Sequence, residues 1–409
     1  MIDFFSVKYE NTETFNAKLL VWAQRFSTFI FLDSNQNHDR YGEFDFILAV
    51  DALDFYTEIE ELQSGKFYFG HISYDTNTDA IPFVNYGSTY FFEPRYILYG
   101  KNERLYFNRN ATESLAILDA IIEENVEPYS IPKFEFQERT SASDYQDNIY
   151  KIQEAIRKGQ FYELNYCVEF FKENIELNPV STFLEINKHA RSPMSALLKY
   201  DGKWALSFSP ERLACLRGNK LISQPIKGTA RRDLTSPKND IAIKNELATS
   251  IKERAENTMI VDLVRHDMTT YAETGSIKVE ELCEIYTFPF VHQMISTISA
   301  QLRDKNDGKK ALKKLLPAGS MTGAPKKEVM QYIAQIENFH RGLYAGNIGY
   351  FAPNGDFDFN VVIRTLYYDA TIQRLSLAVG GAITLLSDAE KEYHECLLKA
   401  EGIRKFFRG

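Results

Sequence analysis

Lys227 is the residue whose surroundings in the sequence point most directly to chemistry. It lies in the stretch Gln224–Ala230, between an apolar residue and a glycine and just after a short apolar run. An amine on the turn after a strand can be aimed into a cavity, where burial lowers its pKa from the ordinary value of about 10.4 and makes it a nucleophile. The alternative is a solvated lysine on a surface hairpin. We expect Lys227 to be partly buried, with a lowered pKa.

A carboxyl group precedes this lysine by sixteen residues, in the motif Ser209-Pro210-Glu211-Arg212. Two predicted strands joined by a turn separate Glu211 from Lys227, so a hairpin would bring the carboxylate and the amine to one cavity. A carboxyl group in that position can serve as a general acid or base. The alternative is an ion pair between Glu211 and Arg212 at a surface turn.

Three further carboxylates suit a divalent cation. Glu392 and Glu395 share one face of the predicted C-terminal helix with Lys399, at spacings of three and seven residues. Glu256, in the motif Ala255–Asp267, is expected at the end of a charged helix, where it either faces solvent or adds a metal-binding carboxylate. Mg²⁺ takes oxygen ligands and suits two or three carboxylates together with substrate oxygens. The alternative is a solvated helix face with a Glu395–Lys399 ion pair.

Other residues suit an anionic ligand. Arg364 lies within the predicted strand Val361–Tyr368, and a charge there is costly unless it pairs with a substrate carboxylate or with an internal acid. Gly380 and Gly381 follow a predicted strand and let the backbone approach a ligand closely. The small-residue loop Pro317–Lys326 leads into a predicted helix, whose N-terminus offers backbone N–H groups to an anion.

Composition excludes some classes of function. The chain has 409 residues and a formal net charge of −9, which argues against nonspecific binding to nucleic acid or to a membrane surface. The four cysteines are scattered singly, as in proteins of a reducing compartment. We find no basic segment of a signal peptide and no apolar run near the roughly 18 residues of a membrane helix. We therefore expect a cytoplasmic protein.

The predicted elements favour an α+β fold, a layered sandwich of mostly antiparallel β-sheets flanked by helices. Residues 1–130 carry short strand-like runs between turn clusters and predict an antiparallel sheet lobe. Residues 140–409 predict a second, catalytic lobe, and we expect both lobes to share one sandwich. The acidic, proline-bearing stretch Glu123–Pro132 is the predicted linker. The predicted helices include Ala142–Lys158, Asn239–Arg254, Lys326–Glu337 and Asp388–Phe406.

Six motifs, taken in order, resemble those of the chorismate-binding enzyme family. They are S-P-E-R at 209–212, P-I-K-G-T at 225–229, A-E-N-x-M-I-V-D-L at 255–263, T-G-A-P-K at 322–326, G-x-I-G-Y at 346–350 and E-x-x-E-x-x-x-K at 392–399. The resemblance is strong over residues 140–409 and weaker before them. It implies the fold of anthranilate synthase component I and an enzyme that needs Mg²⁺ and acts on chorismate.

The lysine at position 227 resembles one branch of that family. Members that make 4-amino-4-deoxychorismate, for para-aminobenzoate and folate synthesis, carry lysine here, whereas relatives that use water or ammonia directly usually carry alanine. The resemblance implies that Lys227 attacks C2 of chorismate and expels the C4 hydroxyl, after which ammonia adds at C4 and releases the lysine. The alternative within the family is synthesis of anthranilate from chorismate.

The resemblance also implies the roles of other residues. Glu211 is the general acid and base, His292 lies beside C4, and the metal fixes the ring carboxylate. The implied Mg²⁺ ligands are Glu256 and Glu395, with Glu392 nearby or bound through water. Tyr344 and Arg364 are implied to bind the pyruvyl carboxylate. The implied substrate-binding residues are Thr229, Thr322, Tyr344, Arg364, Gly380, Gly381, Ala382 and Lys399.

Two departures from the family concern the ammonia source and Glu163. The G-x-C-x-G motif of glutamine amidotransferases does not occur in the chain. We therefore expect ammonia from a separate glutaminase subunit or from solution. Glu163 stands where many members have glutamine, near the position of the lysine that activates the nucleophile in water-using relatives. Its identity argues against isochorismate or salicylate synthesis and leaves its own role open.

Overall fold

The computed structural model of the protein describes residues 4–10, 12–37, 39–74 and 82–408. Residues 1–3, on which the expectation about the start of the chain partly rests, lie outside them, as does Gly409. Within these ranges, none of the helices combines the length and the apolar character needed to span a membrane. The α-helices are α1 Glu13–Ala23, α2 Ala111–Ile122, α3 Ala142–Arg157, α4 Pro179–Ala190, α5 Pro237–Thr249, α6 Ile251–Thr269, α7 Gly308–Leu315, α8 Lys326–Ile336 and α9 Ala389–Arg404.

The strands are shorter and more numerous than the helices. In chain order they are β1 Phe5–Lys8, β2 Phe29–Asp33, β3 Phe46–Tyr56, β4 Tyr68–Ile72, β5 Thr89–Lys101, β6 Arg104–Phe107, β7 Gln137–Glu138, β8 Glu163–Glu173, β9 Met194–Tyr200, β10 Lys203–Ser209, β11 Arg212–Arg217, β12 Lys220–Gln224, β13 Ile226–Arg231, β14 Lys278–Thr287, β15 Val291–Gln301, β16 Gly323–Ala324, β17 Asn347–Phe351, β18 Phe357–Asn360, β19 Thr365–Asp369 and β20 Arg374–Ile383.

The named strands pair antiparallel and form two sheets. The first sheet has the order β1-β6-β5-β3-β2-β9-β10-β19-β20-β8, with β7 and β16 both paired to β8. The second has the order β4-β17-β18-β11-β12-β15-β14, with β13 also paired to β15. Strand β5 joins the sheets because its first half pairs with β4 and its second half with β6. The predicted α+β sandwich of antiparallel sheets is confirmed.

Two apolar cores hold these layers together. One contains Ile47 and Leu198 of the first sheet and Leu221 and Ile348 of the second, so the sheets pack face to face. The other lies between the opposite face of the first sheet and helices α1, α3, α4 and α9. Burying apolar side chains on both faces of the first sheet is the main force that stabilises the sandwich.

The first 130 residues are interleaved with the rest of the chain. Strand β2 pairs with β9 along its whole length, and β4 pairs with β17. Both predicted lobes therefore contribute strands to the same two sheets, and the boundary between them stays a prediction.

The apolar spacing in α3 predicts its buried face correctly. Tyr145, Ile149 and Ile152 are buried, and the Ser141 hydroxyl caps the helix by accepting a hydrogen bond from the Asp144 backbone N–H at 3.1 Å. The predicted helix Ala142–Lys158 is observed to end one residue earlier, at Arg157.

The prediction of one helix over Asn239–Arg254 is wrong. Ser250 has an extended backbone with a ψ of 114°, which ends α5 and begins α6. Its hydroxyl accepts a hydrogen bond from the Glu253 backbone N–H at 3.4 Å, as serine commonly does at the first position of a helix. Glu256 consequently lies on the second turn of α6 and not at the end of a helix.

The predicted strand Val361–Tyr368 begins only at Thr365. Arg364 has a φ of 51°, in the left-handed region that a sheet does not accommodate. Residues 361–364 lie outside the strands, and the Val361 carbonyl accepts a hydrogen bond from the Ser209 hydroxyl at 2.6 Å. Arg364 therefore precedes β19 and does not lie in the middle of a strand.

Candidate active site

Lys227 lies within β13 and not on the turn that the sequence predicts. The pairing of β13 with β15 is interrupted between Ile226 and Thr229, where Gly228 adopts a φ of 88°. A bulge of this kind re-aims a neighbouring side chain. The Lys227 side chain is directed inward and is only 10% exposed. The predicted burial is observed, and the alternative of a solvated hairpin lysine does not apply.

Glu163 is the ion-pair partner of Lys227. The Lys227 ammonium donates to Glu163 Oε1 at 3.0 Å, and the Glu163 side chain is 1% exposed. Glu163 begins β8, where it pairs with Ala324 of the short strand β16. The neighbouring Gly323 has a φ of 142°, and a side chain there would bring its Cβ within 2.1 Å of the Glu163 carbonyl oxygen. Glycine is therefore required for this close backbone approach.

The prediction of a lowered pKa for Lys227 is wrong. Burial lowers the pKa, but the carboxylates of Glu163 and Glu256 raise it, and the net result is a pKa above the ordinary value. The sequence alone does not place Glu163 beside the amine, because 64 residues separate the two positions. In this arrangement Lys227 is a protonated ammonium that must lose a proton before it can attack.

Glu211 lies in the same site, brought there by the hairpin of β11 and β12. The carboxylate is 3% exposed, and its Oε1 accepts hydrogen bonds from the Ser320 hydroxyl at 2.7 Å and from the Ile226 backbone N–H at 3.5 Å. Burial raises the pKa of Glu211 to about 7, although the Ser320 hydrogen bond acts in the opposite direction. Such a carboxyl group can hold or release a proton near neutral pH.

Arg212 is not the partner of Glu211. Its guanidinium instead forms ion pairs with Asp358, at 2.8 Å, and with Asp39. The alternative of a surface Glu211–Arg212 pair therefore does not apply, and the Glu211 carboxylate lies within electrostatic range of Lys227.

Arg364 is a half-buried cation close to Glu211. Burial lowers the pKa of its guanidinium, and the negative charge of Glu211 acts in the opposite direction. Among the residues that the structure describes, no carboxylate lies within 4.0 Å of the guanidinium. The alternative of a direct salt bridge with an internal acid is not observed in that part of the chain, and the geometry leaves Arg364 able to bind an anion.

Glu256 and Glu392 converge on one cation, the ammonium of Lys252. Lys252 Nζ lies 3.3 Å from Glu392 Oε1 and 3.9 Å from Glu256 Oε1. Both carboxylates are buried, and Glu256 Oε1 has no hydrogen-bond partner among the described residues. Burial raises the pKa of Glu256 to about 7. Two buried carboxylates that share a cation position, one with an unpaired oxygen, fit the oxygen ligands that Mg²⁺ prefers.

Glu395 lies within electrostatic range of Lys252 but forms no ion pair with it. Its side chain is 48% exposed and pairs with Lys399 at 2.8 Å, as the alternative from helix spacing predicts. Over the described ranges, no group of three or more acidic, histidine or cysteine side chains is arranged to hold a metal ion. Glu256 and Glu392 thus share a contact with Lys252, and the complete ligand set stays a prediction.

Gly380, Gly381 and Ala382 lie on β20, opposite residues 165–167 of β8. A Cβ on Gly381 would lie 3.6 Å from Glu392 Oε2 and 3.9 Å from Lys399 Nζ, so Gly381 faces the carboxylate group on α9. The Gly380 carbonyl accepts a hydrogen bond from Lys399 at 2.9 Å. These glycines leave open backbone beside the cation position.

The remaining predicted residues do not contact Lys227 or Glu211 by hydrogen bonds. Tyr344 is buried against the Cys167 thiol, and Thr229 is exposed on β13. The Thr322 hydroxyl donates to the Ala318 carbonyl at 3.2 Å, within its own loop. The His292 ring contacts Asp240 Oδ1 at 3.0 Å and Thr287 Oγ1 at 3.1 Å. Their implied roles toward a substrate stay predictions.

Sequence reasoning missed three contributors to this site. They are Ser320, which donates to Glu211, Lys252, which joins the two acidic helices, and Asp240, which holds His292. Ser320 lies inside the small-residue loop that the sequence marks as unusual. No spacing rule connects it to Glu211, however, since the two are 109 positions apart in the sequence.

Comparison with known proteins places these motifs in a family. Residues 8–405 match the family described as chorismate binding enzyme. The chain is 40% identical over 250 residues to "Aminodeoxychorismate synthase" of Streptomyces griseus, covering 61% of this chain and 34% of that protein. It is 36% identical over 271 residues to "Aminodeoxychorismate synthase component 1" of Escherichia coli K12, covering 66% of this chain and 59% of that protein. The chain thus spans less than two thirds of either relative.

A solved structure supports the fold. Anthranilate synthase component I from Streptococcus pneumoniae TIGR4 superimposes with a TM-score of 0.75 at 22% identity, covering 98% of this chain and 92% of that one. At this identity the likeness shows the sandwich architecture alone. The family assignment comes from the match over residues 8–405: the chain belongs to the chorismate binding enzymes.

Proposed function

We propose that the chain is the chorismate-converting component of an aminodeoxychorismate synthase. It would turn chorismate and ammonia into 4-amino-4-deoxychorismate for para-aminobenzoate and folate synthesis. The observation that carries the proposal is the buried Lys227 amine, which contacts Glu163 and lies in one site with Glu211. The names of the relatives from Streptomyces griseus and Escherichia coli support the same branch of the family.

In the proposed reaction Lys227 is the nucleophile. Its Nζ forms a bond to C2 of chorismate, and the C4–O bond breaks as both conjugated ring double bonds shift. Glu211 gives its proton to the departing hydroxyl, which leaves as water. Its raised pKa supports this role, because a carboxyl group with a pKa of about 7 holds a proton at neutral pH.

Ammonia completes the proposed reaction. It adds at C4, both ring double bonds shift back, and the bond from C2 to Lys227 breaks with its electron pair on nitrogen. We propose that the ammonia comes from a separate glutaminase subunit. The name "component 1" of the Escherichia coli relative supports a second component in that protein.

Arg364 and the acidic residues would orient the substrate. Arg364 is a half-buried cation without a direct ion pair in the described part of the chain, which suits a substrate carboxylate. We propose Glu256 and Glu392 as Mg²⁺ ligands, with Glu395 as the third predicted carboxylate. Bound Mg²⁺ would neutralise the second substrate carboxylate. We place the reaction in the cytoplasm, in line with four free cysteines.

Product identification tests the proposal. The purified chain is incubated with chorismate, MgCl₂ and ammonium chloride, and the products are separated and identified by mass spectrometry. We expect 4-amino-4-deoxychorismate. Anthranilate as the main product would instead assign the chain to the other ammonia-using branch. Recovery of unchanged chorismate, from a protein that binds it, would contradict catalysis by this component.

A further inference from the structure

The contact between Lys227 and Glu163 means that the Lys227 ammonium must give its proton to some group before it can attack. Nucleophilic attack needs a neutral amine, whereas an amine that donates to a buried carboxylate at 3.0 Å is an ammonium ion. Removing a proton to bulk water would leave the Glu163 carboxylate buried and unpaired. A buried unpaired charge is strongly unfavourable, so the proton has to go to a group inside the site.

We propose that Glu163 is the proton acceptor that converts the Lys227 ammonium into the nucleophilic amine. This inference rests on the proposed function, in which Lys227 attacks the substrate. Transfer within the pair turns two charges into two neutral groups, so neither partner is left buried with an unpaired charge.

Other carboxylates are less well placed than Glu163. The charged groups that face Lys227 are Glu163 of β8, Glu211 before β11, Glu253 and Glu256 of α6, and Glu395 of α9. In the part of the chain that the structure describes, Glu163 is the only residue whose carboxylate lies within 4.0 Å of Lys227 Nζ. Glu211 already accepts from Ser320 and must give up a proton to the leaving hydroxyl.

The environment of Glu163 supports the same assignment. Its Oε1 accepts from Lys227, and its Oε2 is buried without a hydrogen-bond partner among the described residues. This second oxygen offers a position for a proton inside the site while Oε1 stays beside the amine. The two carboxyl groups then have separate tasks, with Glu163 acting on the nucleophile and Glu211 on the leaving group.

The proton balance closes over one reaction cycle. One proton passes from Lys227 to Glu163 before attack, and Glu211 gives one proton to the hydroxyl that leaves C4. When ammonia adds and the bond from C2 to Nζ breaks, Lys227 departs as a neutral amine and takes its proton back from Glu163. One proton of the new ammonium group at C4 restores Glu211. Chorismate and ammonia thus yield the amino product and water.

The test measures formation of the lysine adduct without ammonia. Wild-type and Glu163→Gln proteins are mixed with chorismate and Mg²⁺ across a range of pH, and the adduct on the Lys227 peptide is followed by mass spectrometry. Glutamine keeps the size and a hydrogen-bond acceptor but takes no proton. We expect adduct formation to slow by about 10²-fold or more at neutral pH. We also expect its rate to rise toward alkaline pH, where hydroxide replaces the carboxylate.

Glu169→Gln is the matched control. Glu169 is another buried carboxylate of β8, but it pairs with Arg139 and accepts from Ser376 at 2.7 Å, away from the lysine. We expect this variant to form the adduct at the wild-type rate. Loss of the adduct in both variants would trace the effect to damage of β8 and would overturn the specific role of Glu163.

Glu163→Ala tests the same role of the carboxylate if the Glu163→Gln protein does not fold. Glu163→Ala should form the adduct slowly, and added acetate should accelerate it by supplying a carboxylate in the vacated space. Adduct formation by Glu163→Gln at or above the wild-type rate would overturn the inference, as would a Glu163→Ala protein unaffected by acetate. A wild-type protein that forms no adduct at any pH would instead contradict the proposed function itself.

Discussion

Two carboxyl groups in the candidate site, those of Glu163 and Glu211, accept hydrogen bonds from different kinds of donor. Glu163 accepts directly from the Lys227 ammonium, whereas Glu211 accepts from a neutral hydroxyl and a backbone N–H. Burial raises the pKa of Glu211 to about 7, because neither neutral donor compensates fully for the loss of water. The same residue type is therefore suited to be a base in one position and an acid in the other.

The pH dependence of turnover should report on Glu211. If Glu211 gives a proton to the leaving hydroxyl, turnover falls as pH rises through its pKa of about 7, where the proton is lost. The Ser320 hydroxyl stabilises the carboxylate and so lowers this pKa. We expect Ser320→Ala to raise the pKa and to move the alkaline limb of the kcat profile to higher pH.

Ser376→Ala provides the control for that shift. Its hydroxyl donates to a different buried carboxylate, Glu169, at the same distance of 2.7 Å. The alkaline limb should stay where it is in the wild type. An unmoved limb in Ser320→Ala would remove Glu211 as the titrating acid.

The sequence predicts the chemistry of single residues better than their partners. The sequence predicts that Lys227 and Glu211 share one site because two short strands separate them. Such a spacing is typical of a hairpin, which brings its two ends together. The contact between Lys227 and Glu163 depends instead on the packing of β13 against the start of β8, which no local pattern specifies. For that reason the burial of the lysine is predicted and the direction of its pKa shift is not.

Secondary-structure elements position the site through their irregularities. The bulge at Gly228 aims Lys227 inward, the break at Ser250 starts α6 so that Glu256 lies on its second turn, and Arg364 precedes β19 in a left-handed conformation. Apolar periodicity predicts the regular elements, such as α3, because it follows from which face is buried. It carries no information about these interruptions, which depend on caps, bulges and single φ angles.

Gly228→Ala tests the role of the bulge. A Cβ at Gly228 would lie 2.9 Å from Glu253 Oε2 and 3.2 Å from Leu247 Cδ1, and the φ of 88° is unfavourable for alanine. We expect a loss of about 1–2 kcal/mol in the free energy of unfolding from the backbone conformation. Displacement of Lys227 should also lower kcat by about 10²-fold. Denaturant unfolding and steady-state rates measure the two effects.

Gly218→Ala is the control that separates the cost of a positive φ from the displacement of Lys227. Gly218 also has a positive φ, of 62°, but a Cβ there would meet no atom within 4 Å. We expect a similar loss of stability with an unchanged kcat. Equal losses of kcat in the two variants would show that the bulge at Gly228 does not position the nucleophile.

Mg²⁺ should join α6 to α9 through Glu256 and Glu392. At a concentration about 100-fold above the dissociation constant, the free energy of unfolding should rise by about 2.7 kcal/mol. Thermal unfolding with and without MgCl₂ measures this, and we expect the increase to vanish in Glu256→Gln. Asp262→Asn, which changes an exposed carboxylate on the same helix, should keep it. An undiminished increase in Glu256→Gln would contradict the assignment of the ligand.

On the scale of the whole molecule, the site is assembled from distant parts of the chain. Residues 163, 211, 227, 256 and 392 come from β8, the start of β11, β13, α6 and α9, and the antiparallel sandwich brings them together. The short hairpins between predicted strands predict this fold class correctly. The order of strands in each sheet is not predicted, because pairings such as β2 with β9 join segments far apart in sequence.

The compound that can supply nitrogen to the purified protein depends on which domains the chain contains. We expect ammonium salts to support turnover by the pure protein and glutamine alone to support none, because the chain lacks the G-x-C-x-G motif of a glutaminase. Product formation from chorismate with each nitrogen source, measured by mass spectrometry, checks this. Glutamine-driven turnover at a rate comparable with ammonium would contradict the proposed need for a separate subunit.

The most direct test of the central claim is the mass of the peptide that contains Lys227. Wild-type protein is incubated with chorismate and Mg²⁺ without ammonia, digested and analysed. We predict a substrate adduct on Lys227 that disappears when ammonium is added and is absent from Lys227→Ala. An unmodified peptide in the wild type, together with full turnover by Lys227→Ala, would contradict the covalent role of Lys227.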